Sequence, residues 1–182
     1  MNLLLEVVAC LAGVALVIVA IMSALRVLVV PRSSRDRVAR TLFFVLRRLF
    51  DLWTMRMSTY TQVDRLMAWF APTGLLLLVV VWLLMVLAGY TGIFLLLTGD
   101  GLRHSFILSG SSLLTLGFAS PGGDTATTAV ALTEAAIGLI LIALLIAYLP
   151  TLYASFSRRE ASVGMLEVRA GSPPSPSEQL DR

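Results

Sequence analysis

The chain has 182 residues, 58% of them apolar and only 14% charged, with a mean hydropathy of +0.89 and a formal net charge of +3. A soluble domain carries about 45–50% apolar and about 25% charged residues. Here the apolar residues sit in three long blocks, which argues against a globular core as the organising principle. A single cysteine, Cys10, excludes an intrachain disulfide, and with a single histidine there is no zinc constellation. No nucleophile–base pair, phosphate loop or dinucleotide fingerprint is present, so neither an enzyme nor a cofactor is expected.

The first block, Leu3 to Val30, is broken only by Glu6 and Arg26. It exceeds the roughly 20 residues that a spanning helix needs. A cleaved signal would carry positive charge before its apolar run. Here Glu6 lies near the start, and Arg26, Arg32, Arg35, Arg37 and Arg40 lie at or beyond the end. Basic residues stay on the cytoplasmic side. Residues 1–31 are therefore expected to form a transmembrane helix with the N-terminus outside.

Residues 32–72 form an Arg-rich cytoplasmic segment, with eight arginines against Asp36, Asp51 and Asp64. All fourteen basic residues of the chain are arginine, which reads as composition. Their place beside apolar spans points to anionic lipid rather than nucleic acid. On a helix over 37–53, Arg37, Arg40, Arg47, Arg48 and Asp51 fall within an arc of roughly 100°. Val38, Leu42, Val45, Leu49, Leu52 and Trp53 fill the opposite side, and Phe44 breaks the pattern. This is a basic amphipathic helix expected to lie in the membrane interface. A break is expected over Ser58 to Thr61, then a short helix from Gln62 to Phe70, with Pro72 and Gly74 leading into the next span.

The second block, 74–97, contains no charge and is expected to run from inside to outside. The third, 129–156, contains only Glu134 and is followed by Arg158 and Arg159, so its end is cytoplasmic. The tail, 158–182, carries Pro173, Pro174 and Pro176 and is expected to be disordered from about residue 170.

The segment between the second and third blocks must then lie outside. Its residues 103–114 are too short to span and too apolar for an exposed loop, which fits a re-entrant helix. Thr115, Leu116, Gly117, Phe118 and Ala119 follow. In this order the segment resembles the pore module of the potassium channel superfamily, with outer helix, pore helix, a Thr-Val-Gly-Tyr-Gly filter and inner helix. The resemblance covers about Gly74 to Glu160 and is nearest to small bacterial two-span channels, with an N-terminal span added.

The resemblance implies an all-α integral membrane fold: three transmembrane helices, a pore helix over 103–114, a filter over 115–119 and an inner helix over 129–156. Residues 73–157 would be the pore module. Main-chain carbonyls of Thr115 to Ala119, with the Thr115 hydroxyl, would replace the hydration shell of potassium, or of sodium as the alternative permeant ion. Leu116 and Phe118 would pack behind the filter, and Gly117 would take a positive φ. Ala119 stands where the family has glycine; a positive φ there would cost about 1–2 kcal/mol. One such strand cannot enclose an ion, so a homotetramer is implied.

On the inner helix Gly138 is a candidate hinge, with close helix packing as the alternative, and Pro150 a candidate gate kink, with a harmless kink at the end of the span as the alternative. Glu134 is expected to support the pore helix by bonding Ser111 or Ser112, with solvation at the interface or a pore-lining place as the alternatives. The function implied is a passive cation channel of the plasma (inner) membrane, probed against two alternatives: a non-selective cation channel and a non-conducting membrane-anchored accessory protein.

Overall fold

The computed structural model describes residues 3–28, 36–54 and 60–170, and every element among them is a helix: α1 (Leu3–Leu28), α2 (Arg37–Thr54), α3 (Tyr60–Thr98), α4 (Leu102–Leu113) and α5 (Thr125–Ala170). Three stretches are long and apolar enough to cross a membrane: Leu3–Val27, Pro72–Thr98 and Thr125–Ala147. The chain divides into two compact units, Met1–Leu145 and Ile146–Arg182. As far as Ala170 the second unit is the continuing helix of α5, with Pro150 inside it.

In the first unit α1 and α3 pack antiparallel, and small residues set their separation. A Cβ on Gly92 would stand 2.6 Å from the Ala9 carbonyl oxygen, and one on Gly13 would run into the Gly89 carbonyl. Close approach of backbones is how membrane helices gain dispersion contact where water supplies no hydrophobic drive. Around this crossing Trp82, Phe94, Leu78 and Val86 of α3 are fully buried with Ala20 of α1 and Leu108 of α4.

A buried polar chain joins α1, α2 and α3. Trp82 Nε1 donates to Ser23 Oγ at 2.9 Å, and Ser23 Oγ donates to Asp36 Oδ2 at 2.7 Å. The same Oδ2 accepts the Ala39 N–H at 2.8 Å, so Asp36 is also the N-cap of α2. From this anchor α2 descends along α3. Phe43 and Leu46 close on Gly74, and Phe50 meets the Phe70 ring edge-on at 5.3 Å.

This contact uses a side of α2 that periodicity did not single out, and it leaves most of the expected apolar face open. Leu46 is buried, with Leu42, Phe43 and Phe50 partly covered, whereas Val45, Leu49, Leu52 and Trp53 stay exposed. The apolar arc of α2 is wider than one helix can cover, and α3 takes only one side of it. Phe44 lies on the arginine side, where its ring carries the Arg48 guanidinium, 5.2 Å from the centroid.

Two boundaries also differ. The short helix expected over 62–70 and the span over 74–97 form one helix, α3, that continues through Pro72. Thr73 Oγ1 donates to the Phe70 carbonyl at 3.2 Å, one residue past the proline. Of the break expected over 58–61, Tyr60 and Thr61 are already helical, and residues 55–59 lie outside those described. The helix expected over 129–156 begins at Thr125 and reaches Ala170, so residues 158–170 of the expected tail are helical. The disorder expected beyond falls on residues 171–182, outside those described.

Candidate functional site

The site is the connection between α3 and α5. Gly99 and Gly101, both at positive φ, turn the chain out of α3, and Gly101 accepts the Ser105 N–H and hydroxyl at the start of α4. α4 is one residue displaced from the expected 103–114 and buries Ser105, Leu108, Ser109, Ser111 and Leu113. From Ser105 to Gly123 no side chain is ionisable.

α4 ends in a reciprocal backbone cap. The Leu116 N–H bonds the Ser111 carbonyl at 2.8 Å, and the Thr115 N–H bonds the Ser112 carbonyl at 3.0 Å. This pairing requires a left-handed residue at the turn, usually glycine. Thr115 occupies it at φ 53°, alone among non-glycine residues described. Two residues on, Gly117 has φ 72°. Positive φ therefore falls at 115 and 117 but not at 116, 118 or 119.

The strain expected at Ala119 is absent, since its φ is not positive. A Cβ disfavours that conformation, and the Ala119 N–H instead donates to Ser111 Oγ at 3.1 Å, tying the end of the segment back to α4. Gly122 at φ 74° then turns the chain. Asp124 caps α5: its Oδ2 accepts the Thr127 N–H and hydroxyl, each at 3.1 Å. These donors hold the exposed Asp124 carboxyl below its usual range.

Thr115, Leu116, Gly117 and Phe118 are all exposed in the single chain. Leu116 and Phe118, expected to pack behind the segment, are 59% and 67% exposed, so their own chain does not supply that packing.

Behind the segment Glu134 is fully buried. Its partner is Ser109, whose Oγ donates to Oε1 at 2.5 Å, rather than Ser111 or Ser112 as expected. Ser111 serves Ala119, and Ser112 contributes its carbonyl to the cap. The solvated and pore-lining alternatives for Glu134 do not fit its burial. Tyr90 and Thr133 share a further bond between α3 and α5 at 3.1 Å. A Cβ on Gly138 would collide with the Leu113 carbonyl, so glycine lets α5 pass the end of α4.

Sequence reasoning missed three features. Ser109 lies four residues after Ser105 and one after Leu108, a serine-bearing face legible as helical spacing. Asp124, three residues before Thr127 and just ahead of an apolar run, carries an N-cap signature. The Ser23–Asp36–Trp82 chain joins residues far apart in sequence and leaves no local sign.

Comparison with protein-family models, curated proteins and solved structures finds no match. What the fold itself defines is an all-helical protein with three helices able, by length and composition, to cross a membrane.

Proposed function

We propose that four copies of this chain form a passive cation channel, potassium-conducting by its family resemblance, with residues 115–119 of each copy as one wall of the ion path. The observation that carries the reading is the alternation of backbone hand. In an ordinary extended strand successive carbonyls point to opposite sides. Reversing the hand at every second residue turns them to one side, as a filter that replaces hydration water requires. Positive φ at Thr115 and Gly117 supplies that alternation directly after α4.

Three further features support it. α4 has 12 residues, about 18 Å of rise, short of a bilayer's roughly 30 Å hydrocarbon core. Irregular backbone at membrane depth is tolerated where it lines a water-filled path. Exposed Leu116 and Phe118 are apolar surface that neighbouring copies around a shared axis would cover. In this reading the N-terminus is outside, α1 and α5 run inward, α3 runs outward, and Pro150 is the gating position.

A second reading, a cation channel that does not separate potassium from sodium, is favoured by one observation. The alternation stops at Gly117, so the outer end of the path lacks the second glycine turn of a potassium filter.

Flux from liposomes holding the full chain, under potassium, sodium and N-methylglucamine gradients, tests both. Potassium flux blocked by barium, with none for N-methylglucamine, is expected. Equal potassium and sodium flux selects the second reading. Folded, inserted protein that passes neither ion, or that is monomeric or dimeric by mass measurement, overturns the channel and leaves a membrane-anchored accessory protein.

A further inference from the structure

Four exposed apolar side chains on α2 are left without cover. Val45 is 49% exposed, Leu49 57%, Leu52 63% and Trp53 62%, at the i, i+4, i+7 and i+8 spacing of one continuous helical stripe. α3 covers the neighbouring side through Leu46, Phe43 and Phe50, so the stripe is not the face that holds α2 in the fold. Arg37 and Arg48 flank its other edge, and both are exposed. Arg48 is steadied by the Phe44 ring beneath its guanidinium.

We propose that this stripe and its two arginines form a binding site for anionic phospholipid, with Val45, Leu49, Leu52 and Trp53 among the acyl chains and Arg37 and Arg48, about 16 Å apart along the helix, each on a headgroup phosphate. The choice of occupant rests on charge complementarity. A second copy of α2 would bring the same arginines against each other. A zwitterionic lipid would satisfy the apolar stripe but offer no net charge to the guanidinium pair. A phosphodiester at the edge of an acyl layer matches both parts, because a guanidinium presents a planar fork of donors to phosphate oxygens. Tryptophan at the rim of an apolar surface suits the same depth, apolar body inward and N–H toward the headgroups.

The site is mechanically joined to the spans. Asp36, one residue before Arg37, is held by Ser23 of α1, which is held by Trp82 of α3. The Arg37 end of the site therefore sits on a fixed platform. This inference does not depend on conduction and stands whether or not residues 115–119 pass ions.

The test uses the full chain in mixed phosphatidylcholine and phosphatidylglycerol vesicles, with acyl-brominated versions of each lipid as quenchers. The Trp53 signal is read as the difference between the parent and Trp53→Phe, since Trp69 and Trp82 also fluoresce. Brominated phosphatidylglycerol should associate with Trp53 more strongly than brominated phosphatidylcholine. Arg48→Gln and Arg37→Gln should each lower that preference about fivefold, the effect of one arginine near an anionic surface. Circular dichroism confirms that both exposed substitutions leave the helices intact. Equal association of the two lipids in the parent overturns the site as a headgroup-selective one. Absence of quenching by either lipid overturns it in favour of a protein-covered face.

Discussion

Ser109 and Glu134 meet at 2.5 Å inside the first unit, a side-chain bond between α4 and α5. Ser109 Oγ also lies 3.0 Å from the Leu87 carbonyl of α3. A hydroxyl has one hydrogen, and that carbonyl already accepts from Thr91 Oγ1 at 2.7 Å. That hydrogen lies between two acceptors, the Leu87 carbonyl and the Glu134 carboxyl. Glu134 Oε2 has no partner among the described residues.

Geometry rather than charge is what α5 needs at this position. Glutamine keeps an acceptor in the place of Oε1, so Glu134→Gln should melt like the parent and, in the proposed channel, leave ion flux unchanged. Glu134→Ala and Ser109→Ala each strand a buried polar group and should cost about 1–3 kcal/mol. Thermal unfolding in detergent, read beside liposome flux, checks the order Gln, then Ser109→Ala and Glu134→Ala. An alanine variant at 134 as stable and conductive as the parent would remove any role for the contact.

In the proposed channel, substitutions at Thr115 and Gly117 would separate stability from conduction. Thr115→Gly should stabilise the fold by about 1 kcal/mol, because threonine at φ 53° bears a cost that glycine does not. The same change removes the hydroxyl, so the potassium-to-sodium flux ratio should fall. Gly117→Ala should do the reverse of the stability change, costing about 1–2 kcal/mol at φ 72°, and should abolish flux while helicity persists. No heavy atom beyond its chain neighbours lies within 4 Å of a Cβ built at 117, so that cost is conformational rather than a clash within the chain. Full flux from Gly117→Ala would detach the segment from the ion path.

Some of this was legible in the sequence because it depends on runs and periods. The three blocks became helices able to span, and the limits of α2 and α4 fall within about a residue of those expected, since uninterrupted apolar runs and turn residues determine them. What depends on tertiary placement was not legible. The apolar arc of α2 extends from Leu52 round to Phe43, and only the presence of α3 selects the Leu46 side. The choice of Ser109 over Ser111 for Glu134 is set by how α4 meets α5, which no spacing encodes. The Ala119 substitution was visible, but its relaxed φ follows from a bond to Ser111 eight residues back. Continuity through Pro72 was hidden because proline breaks helices in water more often than among membrane helices.

Asp124 gives the start of α5 a pH dependence. Its carboxyl lies below its usual range in the fold because Thr127 donates to it through both N–H and hydroxyl. A lowered folded value means the stabilisation is complete above the ordinary carboxylate range and is lost as pH falls through the folded value. Acid unfolding of Asp124→Asn should lack this component, because asparagine keeps the cap without titrating. Asp124→Ala should lower the midpoint of thermal unfolding at neutral pH and should flatten the same acid component. A parent and an asparagine variant with parallel melting profiles down to strong acid would show that the cap contributes nothing measurable.

Gly138 distinguishes a hinge from a contact. The backbone of α5 passes so near the end of α4 that a Cβ there would collide with the Leu113 carbonyl. Alanine must push α5 away or displace the turn that holds Thr115, and such overpacking typically costs about 1–3 kcal/mol. Gly138→Ala is therefore expected to unfold earlier and to lose flux together with stability. A hinge role makes a different forecast: added helix propensity would leave the fold as stable or more so and alter only the fraction of time the path is open. Single-channel recording beside thermal unfolding separates the two. Altered open probability at unchanged melting temperature would assign Gly138 to gating and set aside the packing account.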